Sequence, residues 1–167
     1  DVTQMLEDLF AYLRAQMPCD LLQMNYIDHG TGELRRLAWV EEQNGRQLSQ
    51  ASHTLFAFPE EAMAVIRKGP PKGHDHPRVE VMNVGQVSPH PPPHPAFAEG
   101  FKRFRLEGYN VVMVHIAIEA ERLGVLVVAA RPPSAFTAEH ARQLEGAIEP
   151  LAIAFSNARR YEDLLRL

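Results

Sequence analysis

The feature that most constrains the fold is a pair of apolar segments in the last third of the chain, 109–119 and 123–130. Both are apolar at successive positions rather than alternate ones, and a short polar turn, 119–122, separates them. Strands that are apolar on both faces lie in the middle of a sheet that is covered on both sides. The pattern therefore predicts a long central hairpin, with other elements packed on each face.

A second hairpin is predicted near the start of the chain. In the segment 20–28, apolar and polar residues alternate with the period of a strand. Turn residues follow at 28–32, and a second strand at 34–41 contains the only tryptophan, Trp39. The polar composition of 42–53 predicts a loop.

Helices are predicted at both ends of the chain. Apolar residues at steps of three and four predict a helix over 2–17, and Thr137 is suited to cap a second helix that runs to the end. Pro150 lies within that second helix. It removes one hydrogen bond and crowds the carbonyl of Gly146, so the sequence predicts a kinked but continuous helix.

The middle of the chain predicts two short helices and a strand. Pro59 suits the first position of one helix, and 78–84 is the strand. The second helix is predicted from phenylalanines at helical spacing: Phe97, Phe101 and Phe104. The element order is α-β-β-α-β-α-β-β-α, which indicates an α+β fold around a mainly antiparallel sheet.

Composition and motifs exclude several classes of function. A net charge of -4 gives no sign of direct nucleic-acid or anionic-membrane binding. The single cysteine, Cys19, cannot form an internal disulfide, and no apolar run approaches the ~20 residues of a membrane helix. We therefore expect a cytoplasmic protein. Motifs for ATP hydrolysis or a serine triad are absent, so we expect no enzyme.

Histidines in two loops raise the question of a metal site. His74 and His76 flank an aspartate, and His90 and His94 lie among prolines that prevent a helix. A closed site would need further ligands from elsewhere in the fold, and no cysteine pair offers them. We expect solvated loop histidines and no metal, although the sequence leaves metal binding by these loops open.

The last third of the chain resembles a GAF domain. The resemblance is carried by the strand 123–130 with Gly124, by Phe136-Thr137 at the helix start, and by Asn157-Ala158-Arg159-Arg160-Tyr161 at the helix end. The segments 9–13 and 18–20 are most similar to the sensory domains ahead of sigma-54-dependent transcriptional activators. The resemblance implies a central sheet of five to six strands, with the terminal helices on one face.

The resemblance also implies a small-molecule pocket on the other face, under the middle helices and loops. The candidate ligand-binding residues are Trp39, Phe97, Phe101, Phe104, Met113 and His115. The alternative for the phenylalanines is a role in the core, and for His115 it is a core or edge position. The ligand and any cofactor remain unknown from the sequence. The lone Cys19 does not match relatives that reduce methionine sulfoxide or attach a bilin.

The terminal helices are the predicted interface of a homodimer and the route of the signal. The residues assigned to this role are Leu9, Leu13, Leu151, Phe155, Tyr161 and Leu165. The chain begins with Asp1 and ends within a helical pattern, so we expect a fragment: one sensory domain over 1–167, with 156–167 starting a helix toward an output domain. The alternative is a dimerisation or protein-interaction domain without a ligand.

Overall fold

The protein is described by a computed structural model that covers residues 2–28, 30–68, 79–85, 94–119 and 122–165. Its elements in chain order are α1 (Val2–Arg14), β1 (Leu21–Asp28), β2 (Glu33–Gln43), β3 (Arg46–Ala51), β4 (Leu55–Ala57), α2 (Glu60–Lys68), β5 (Val79–Met82), α3 (Ala96–Arg103), β6 (Asn110–Glu119), β7 (Arg122–Ala130), α4 (Ala138–Glu145) and α5 (Ile148–Leu165). None of the helices in this part of the chain has the length and apolar character needed to cross a membrane.

The strands form one antiparallel sheet in the order β3-β2-β1-β7-β6-β5, and β4 pairs with β2. The two predicted hairpins, β1–β2 and β6–β7, lie side by side through β1 and β7. The α+β class and the antiparallel sheet are confirmed. The sheet has seven strands, so the expected number of five to six was too low.

Helices cover both faces of the sheet. The terminal helices α1, α4 and α5 bury their apolar sides against one face, and we call this the first core. The residues that the helices contribute to the first core are Leu6, Phe10, Leu13, Ala141, Leu144, Ile148, Leu151, Phe155 and Ala158. On the other face, Met63 of α2 and Phe104 after α3 belong to the second core. The predicted division of terminal and middle helices between the faces is confirmed.

The segment 42–53 is not a loop. β2 continues to Gln43, and β3 returns beside it after a tight turn at Asn44-Gly45. Both turn residues have positive φ, 50° and 79°, which is the conformation of a type I′ hairpin turn. Polar side chains dominate β3 because it is an exposed edge strand of the sheet.

The long C-terminal helix is two helices. Thr137 caps α4 as predicted: its hydroxyl accepts from the His140 N–H at 3.3 Å, and its own N–H donates to His140 Nδ1 at 3.0 Å. The chain then breaks at Gly146, and α5 starts at Ile148. Pro150 therefore lies in the first turn of α5, where its missing N–H has no helical partner to lose. The expectation of a continuous kinked helix was wrong for this reason.

Candidate functional site

A cavity of about 260 Å³ opens on the second-core face, between the first two strands and the segment that follows α3. It is lined by Leu21, Gln23, Arg36, Trp39, Glu41, Gln43, Phe104, Arg105 and Tyr109. β1 and β2 form its floor, and 104–109 forms its wall. A neighbouring depression of about 320 Å³ shares Gln43 and Tyr109 with it and reaches Arg131. At about 260 Å³ the cavity lies just below the ~300–1,000 Å³ typical of ligand sites.

A β-bulge at Leu37 decides which side chains of β2 form the floor. The pairing with β1 skips this residue, since Ala38 pairs with one β1 residue and Arg36 with the next. Arg36 and Trp39 are three positions apart, and a regular strand would direct them to opposite faces. The bulge brings both to the cavity, while Leu37 and Ala38 both belong to the first core.

Two buried amide side chains lie on this side of β1, and one of them, Gln23, lines the cavity. Gln23 and Asn25 of β1 are only 1% and 2% exposed. Gln23 Nε2 donates to the carbonyl oxygen of Phe104 at 2.8 Å. Gln23 Oε1 and Asn25 Oδ1 have no hydrogen-bond partner among the described residues. Buried polar atoms are nearly always paired, so the unpaired Gln23 oxygen marks a place beside the cavity where a ligand or water can donate a hydrogen bond.

Arg36 supplies positive charge to the lining of the cavity. Its Nε donates to Ser52 Oγ at 3.1 Å and its NH2 group to Thr54 Oγ1 at 2.9 Å. The guanidinium carbon lies 5.6 Å from the ring centroid of Phe104. Within the described part of the chain, no carboxylate forms an ion pair with Arg36.

Further arginines intensify the positive field at this point. Burial lowers the pKa of Arg36, and the charges of Arg105 and Arg103 lower it further. Arginine keeps its charge despite such shifts, so the group stays cationic. The cavity lining therefore carries positive charge. At Arg36, no carboxylate of the described residues neutralises it.

Arg105 reaches the cavity because of how α3 ends. The Arg105 N–H donates to the Lys102 carbonyl at 3.1 Å, and the Leu106 N–H donates to the Phe101 carbonyl at 2.9 Å. These two bonds form a Schellman motif, in which the residue after the cap is left-handed and usually glycine. Here that residue is Arg105, with φ of 60°. Arg105 therefore occupies a position where the backbone of glycine would be less strained.

The far end of the wall is fixed by a polar network. The Tyr109 hydroxyl donates to Glu41 Oε1 at 3.1 Å, and the guanidinium of Arg131 lies 5.8 Å from the Tyr109 ring centroid. Arg131 also approaches Glu41 at 3.6 Å and donates to the Glu42 carbonyl at 2.7 Å. Burial and the charge of Glu41 raise the pKa of Tyr109, so the phenol stays protonated and keeps donating.

The predicted ligand-binding residues are only partly brought together. Trp39 and Phe104 line the cavity, and Phe101 and Met113 pack in the second core next to it. Phe97 lies apart, with its ring centroid 5.5 Å from that of Phe58.

His115 is not among the residues that line the cavity. Its Nε2 lies 3.1 Å from Glu80 Oε1 on the neighbouring strand, towards the other edge of the sheet. The polar lining of Gln23, Arg36 and Arg105 was missed. The one available signal was polar residues inside strands that are otherwise apolar.

The predicted dimer residues lie mainly inside the domain. Leu13, Leu151 and Phe155 are buried in the first core, and Leu9 is partly buried against it. An interface between two copies could not use the side chains of Leu13, Leu151 and Phe155 while they stay in this core. The side chains of Tyr161 and Leu165 lie outside the described part. On the same helices, the exposed large apolar side chains are Tyr12, Ile153 and Leu164, at 59%, 65% and 66% exposure.

The metal and thiol candidates give no site in the described part of the chain. His74, His76 and His90 lie outside the described residues, and His94 Nδ1 accepts from the Ala96 N–H at 3.0 Å. No group of three or more potential ligands in the described ranges could hold a metal ion. Cys19 is 4% exposed, and burial raises the pKa of its thiol to about 12. Such a thiol is almost entirely protonated near neutral pH.

No family model matches the sequence, and no curated protein matches it. Solved structures do. The phycocyanobilin-bound GAF domain from a cyanobacterial phytochrome superposes with a TM-score of 0.61 at 17% identity, covering 96% of this chain and 87% of that one. The GAF domain of a phosphoenolpyruvate-protein phosphotransferase from Coxiella burnetii gives 0.59 at 18% identity, covering 98% and 87%. The protein has a GAF fold. The resemblance predicted from the sequence is confirmed at the level of fold.

The GAF fold also occurs around an enzyme. A type II free methionine-R-sulfoxide reductase from Thermoplasma acidophilum superposes with a TM-score of 0.54 at 14% identity, covering 93% of this chain and 92% of that one. At these identities the likeness concerns the fold alone, because unrelated chemistries share folds. Function has to be argued from the cavity itself.

Proposed function

We propose that this GAF-fold chain is a regulatory sensor domain that binds a small molecule in the cavity between β1, β2 and the segment 104–109. The observation that carries the proposal is the cavity's unmet polar chemistry. Gln23 lines the cavity and its buried Oε1 has no partner in the described residues, and Arg36 forms no ion pair there. Ligand sites combine apolar walls with a few such groups.

β1 offers a short path from this cavity to the terminal helices. Its residues alternate between the two cores: Gln23 lies on the cavity side, while Leu22 and Met24 are fully buried in the first core. Phe10 of α1 and Phe155 of α5 belong to that same core. A ligand that moves β1 or its neighbours therefore changes the packing of the first core against both terminal helices. Helix α5 relays this change to an output domain beyond 156–167.

The finer assignment rests on the sequence. The resemblance of 9–13 and 18–20 supports a sensory domain ahead of a sigma-54-dependent transcriptional activator, working as a cytoplasmic homodimer in a bacterial regulatory protein. The GAF domain bound to phycocyanobilin supports ligand binding by this fold in general. The protonated, buried Cys19 supports a role without thiol catalysis.

A second candidate is a ligand-free dimerisation domain. It is favoured by the exposed apolar side chains on the terminal helices, Tyr12, Ile153 and Leu164. Exposed apolar groups on monomers are common singly, but several of them on the terminal helices suit association. This candidate makes the cavity irrelevant, so ligand binding separates the two.

A thermal-shift screen of the chain against metabolites, anions, neutral compounds and metals tests the sensor proposal. A compound that binds the folded state raises the melting temperature by mass action. The expected result is a concentration-dependent rise with at least one class, reduced when Trp39 is replaced by alanine. No shift with any class would overturn ligand sensing in favour of the dimerisation domain.

A further inference from the structure

We propose that the cavity selects a small organic anion: a carboxylate or phosphate gripped by Arg36 and Arg105, on a body that also carries an O–H or N–H group donating to Gln23 Oε1. The proposal deepens the sensor function and rests on it, since it names the class of ligand for the same cavity. It follows from three features of the lining: its charge, its unpaired acceptor and its aromatic surface.

The charge of the lining favours an anion. Arg36 and Arg105 both line the cavity, and Arg103 stands close enough to perturb Arg36. The one lining carboxylate, Glu41, already has three partners: the Tyr109 hydroxyl, the Gln43 amide and Arg131. Guanidinium forks match carboxylate and phosphate oxygens in geometry, so the arginines supply both charge and direction.

Arg36 is held ready for this role. Ser52 and Thr54 accept from its Nε and NH2 groups, and the Phe104 ring lies 5.6 Å away. Hydroxyl partners fix the guanidinium without neutralising it, whereas a carboxylate partner would compete with an anionic ligand. Preorganisation of this kind lowers the entropy lost on binding.

Gln23 adds a requirement for a donor. Its Nε2 is committed to the Phe104 carbonyl, and this bond fixes the orientation of the amide and leaves Oε1 without a partner. The residue is 1% exposed and its Oε1 is buried, so bulk water does not pair with this oxygen. A ligand that can only accept hydrogen bonds leaves this oxygen unpaired, and a ligand with a hydroxyl or N–H satisfies it.

Three of the other lining residues are aromatic. Trp39, Phe104 and Tyr109 all line the cavity, so a flat organic body between the arginines and Gln23 has rings to contact. An inorganic ion would leave this surface unused. The three features together describe a hydroxylated aromatic or similarly flat acid.

Isothermal titration with five matched probes tests the inference: 4-hydroxybenzoate, 4-hydroxyphenyl phosphate, benzoate, 4-hydroxybenzyl alcohol and 4-hydroxybenzylamine. We expect the two hydroxylated anions to bind at least about tenfold tighter than the neutral alcohol, since charge-assisted hydrogen bonds are the strong ones. Benzoate should bind about threefold or more weaker than 4-hydroxybenzoate, for want of the donor. The ratio of carboxylate to phosphate tells which anion the forks prefer.

Two variants locate the effect. Arg36→Gln and Arg105→Gly should each weaken 4-hydroxybenzoate binding about tenfold. Arg105 is exposed, so its replacement keeps the test valid even if Arg36→Gln fails to fold. Arg142→Gln removes an exposed arginine from α4, on the first-core side of the sheet, and should change affinity by less than about twofold.

The outcomes distinguish failure of this inference from failure of the sensor function on which it rests. If the alcohol or the amine binds as tightly as the anions, anion selection is overturned and the cavity remains a ligand site. Equal binding of 4-hydroxybenzoate to wild type and Arg105→Gly also overturns it. If none of the five probes binds but the thermal-shift screen finds another ligand, only the anion inference falls. If that screen is also empty, the sensor function falls with it.

Discussion

Gln23 Nε2 donates a 2.8 Å hydrogen bond to the carbonyl oxygen of Phe104, 81 residues further along the chain. The bond joins the central strand β1 to the end of α3, which is the floor of the cavity to its wall. It also orients the Gln23 amide, and so leaves Oε1 rather than Nε2 as the atom without a partner. The position of the wall therefore depends on a polar contact inside an otherwise apolar core.

Replacing Gln23 with leucine should loosen the end of α3. The Phe104 carbonyl loses its donor, so the local opening that exposes the Leu106 amide becomes easier. We expect hydrogen exchange of the Leu106 amide to speed up by about twofold to tenfold, the ratio given by a neutral hydrogen bond of about 0.5–1.5 kcal/mol. The Gly146 amide, bonded to Arg142 on the first-core side, should exchange as before. Unchanged exchange at Leu106 would mean that the bond does not hold the wall.

Arg105→Gly should leave the fold at least as stable as wild type. Glycine relieves the left-handed backbone at this position, which offsets the greater freedom it gives the unfolded chain. We expect the free energy of unfolding from urea denaturation to stay equal or to rise by up to about 1 kcal/mol.

The matched control is Arg103→Gly, two residues earlier and within α3. There the backbone is helical, so glycine should lower the free energy of unfolding by about 0.5–1 kcal/mol. A loss of the same size at both positions would show that Arg105 contributes to stability through its side chain. In that case Arg105 would not be a residue that serves binding while lowering the free energy of unfolding.

Cys19 should be unreactive in the folded chain. Its pKa of about 12 lies above the ordinary 9.0, so the folded state holds the thiol proton more tightly than the unfolded state does. The stability that this contributes is fully present below pH 9.0 and is lost as the pH rises toward 12. At about pH 8, labelling with a disulfide reagent should need unfolding, because the thiolate is the reactive form. Prompt stoichiometric labelling of native protein would contradict the buried position and reopen thiol chemistry.

A homodimer through the terminal helices would use their exposed apolar residues. Ile153 is 65% exposed, so Ile153→Glu should hardly affect the stability of one chain, by less than about 0.5 kcal/mol. It should nevertheless convert a dimer to a monomer in sedimentation or light scattering. Gln143→Glu, also on an exposed helix position, should remain dimeric. An Ile153→Glu protein that stays dimeric would place the interface elsewhere.

The sequence predicted best where a local pattern decides the structure. Successive apolar residues in 109–119 and 123–130 define strands that are covered on both sides. Thr137 caps its helix through local hydrogen bonds, which do not depend on what the helix packs against. The hairpin at Asn44-Gly45 was also available from the sequence, since this dipeptide favours a type I′ turn. It was overlooked because the polar composition of an edge strand is the same as that of a loop.

The cavity could not be predicted in the same way, because it depends on contacts between distant segments. Gln23 and Asn25 have the alternation of an exposed strand face, but α3 and its C-terminal segment cover that face. The bulge at Leu37 reverses the alternation of β2 and brings Arg36 to the cavity. Arg105 itself has the left-handed conformation that brings it to the cavity. Only a glycine at this position would have indicated that conformation in the sequence.

Trp39 gives the most direct test of the central claim, that this cavity binds a small organic anion. It is the only tryptophan in the chain and it lines the cavity, so its fluorescence reports occupancy without a label. We predict a saturable change in Trp39 emission on titration with 4-hydroxybenzoate, and a midpoint about tenfold higher in Arg36→Gln. Emission that shows no saturable change with any of the five probes, or an identical midpoint in wild type and Arg36→Gln, would contradict the account.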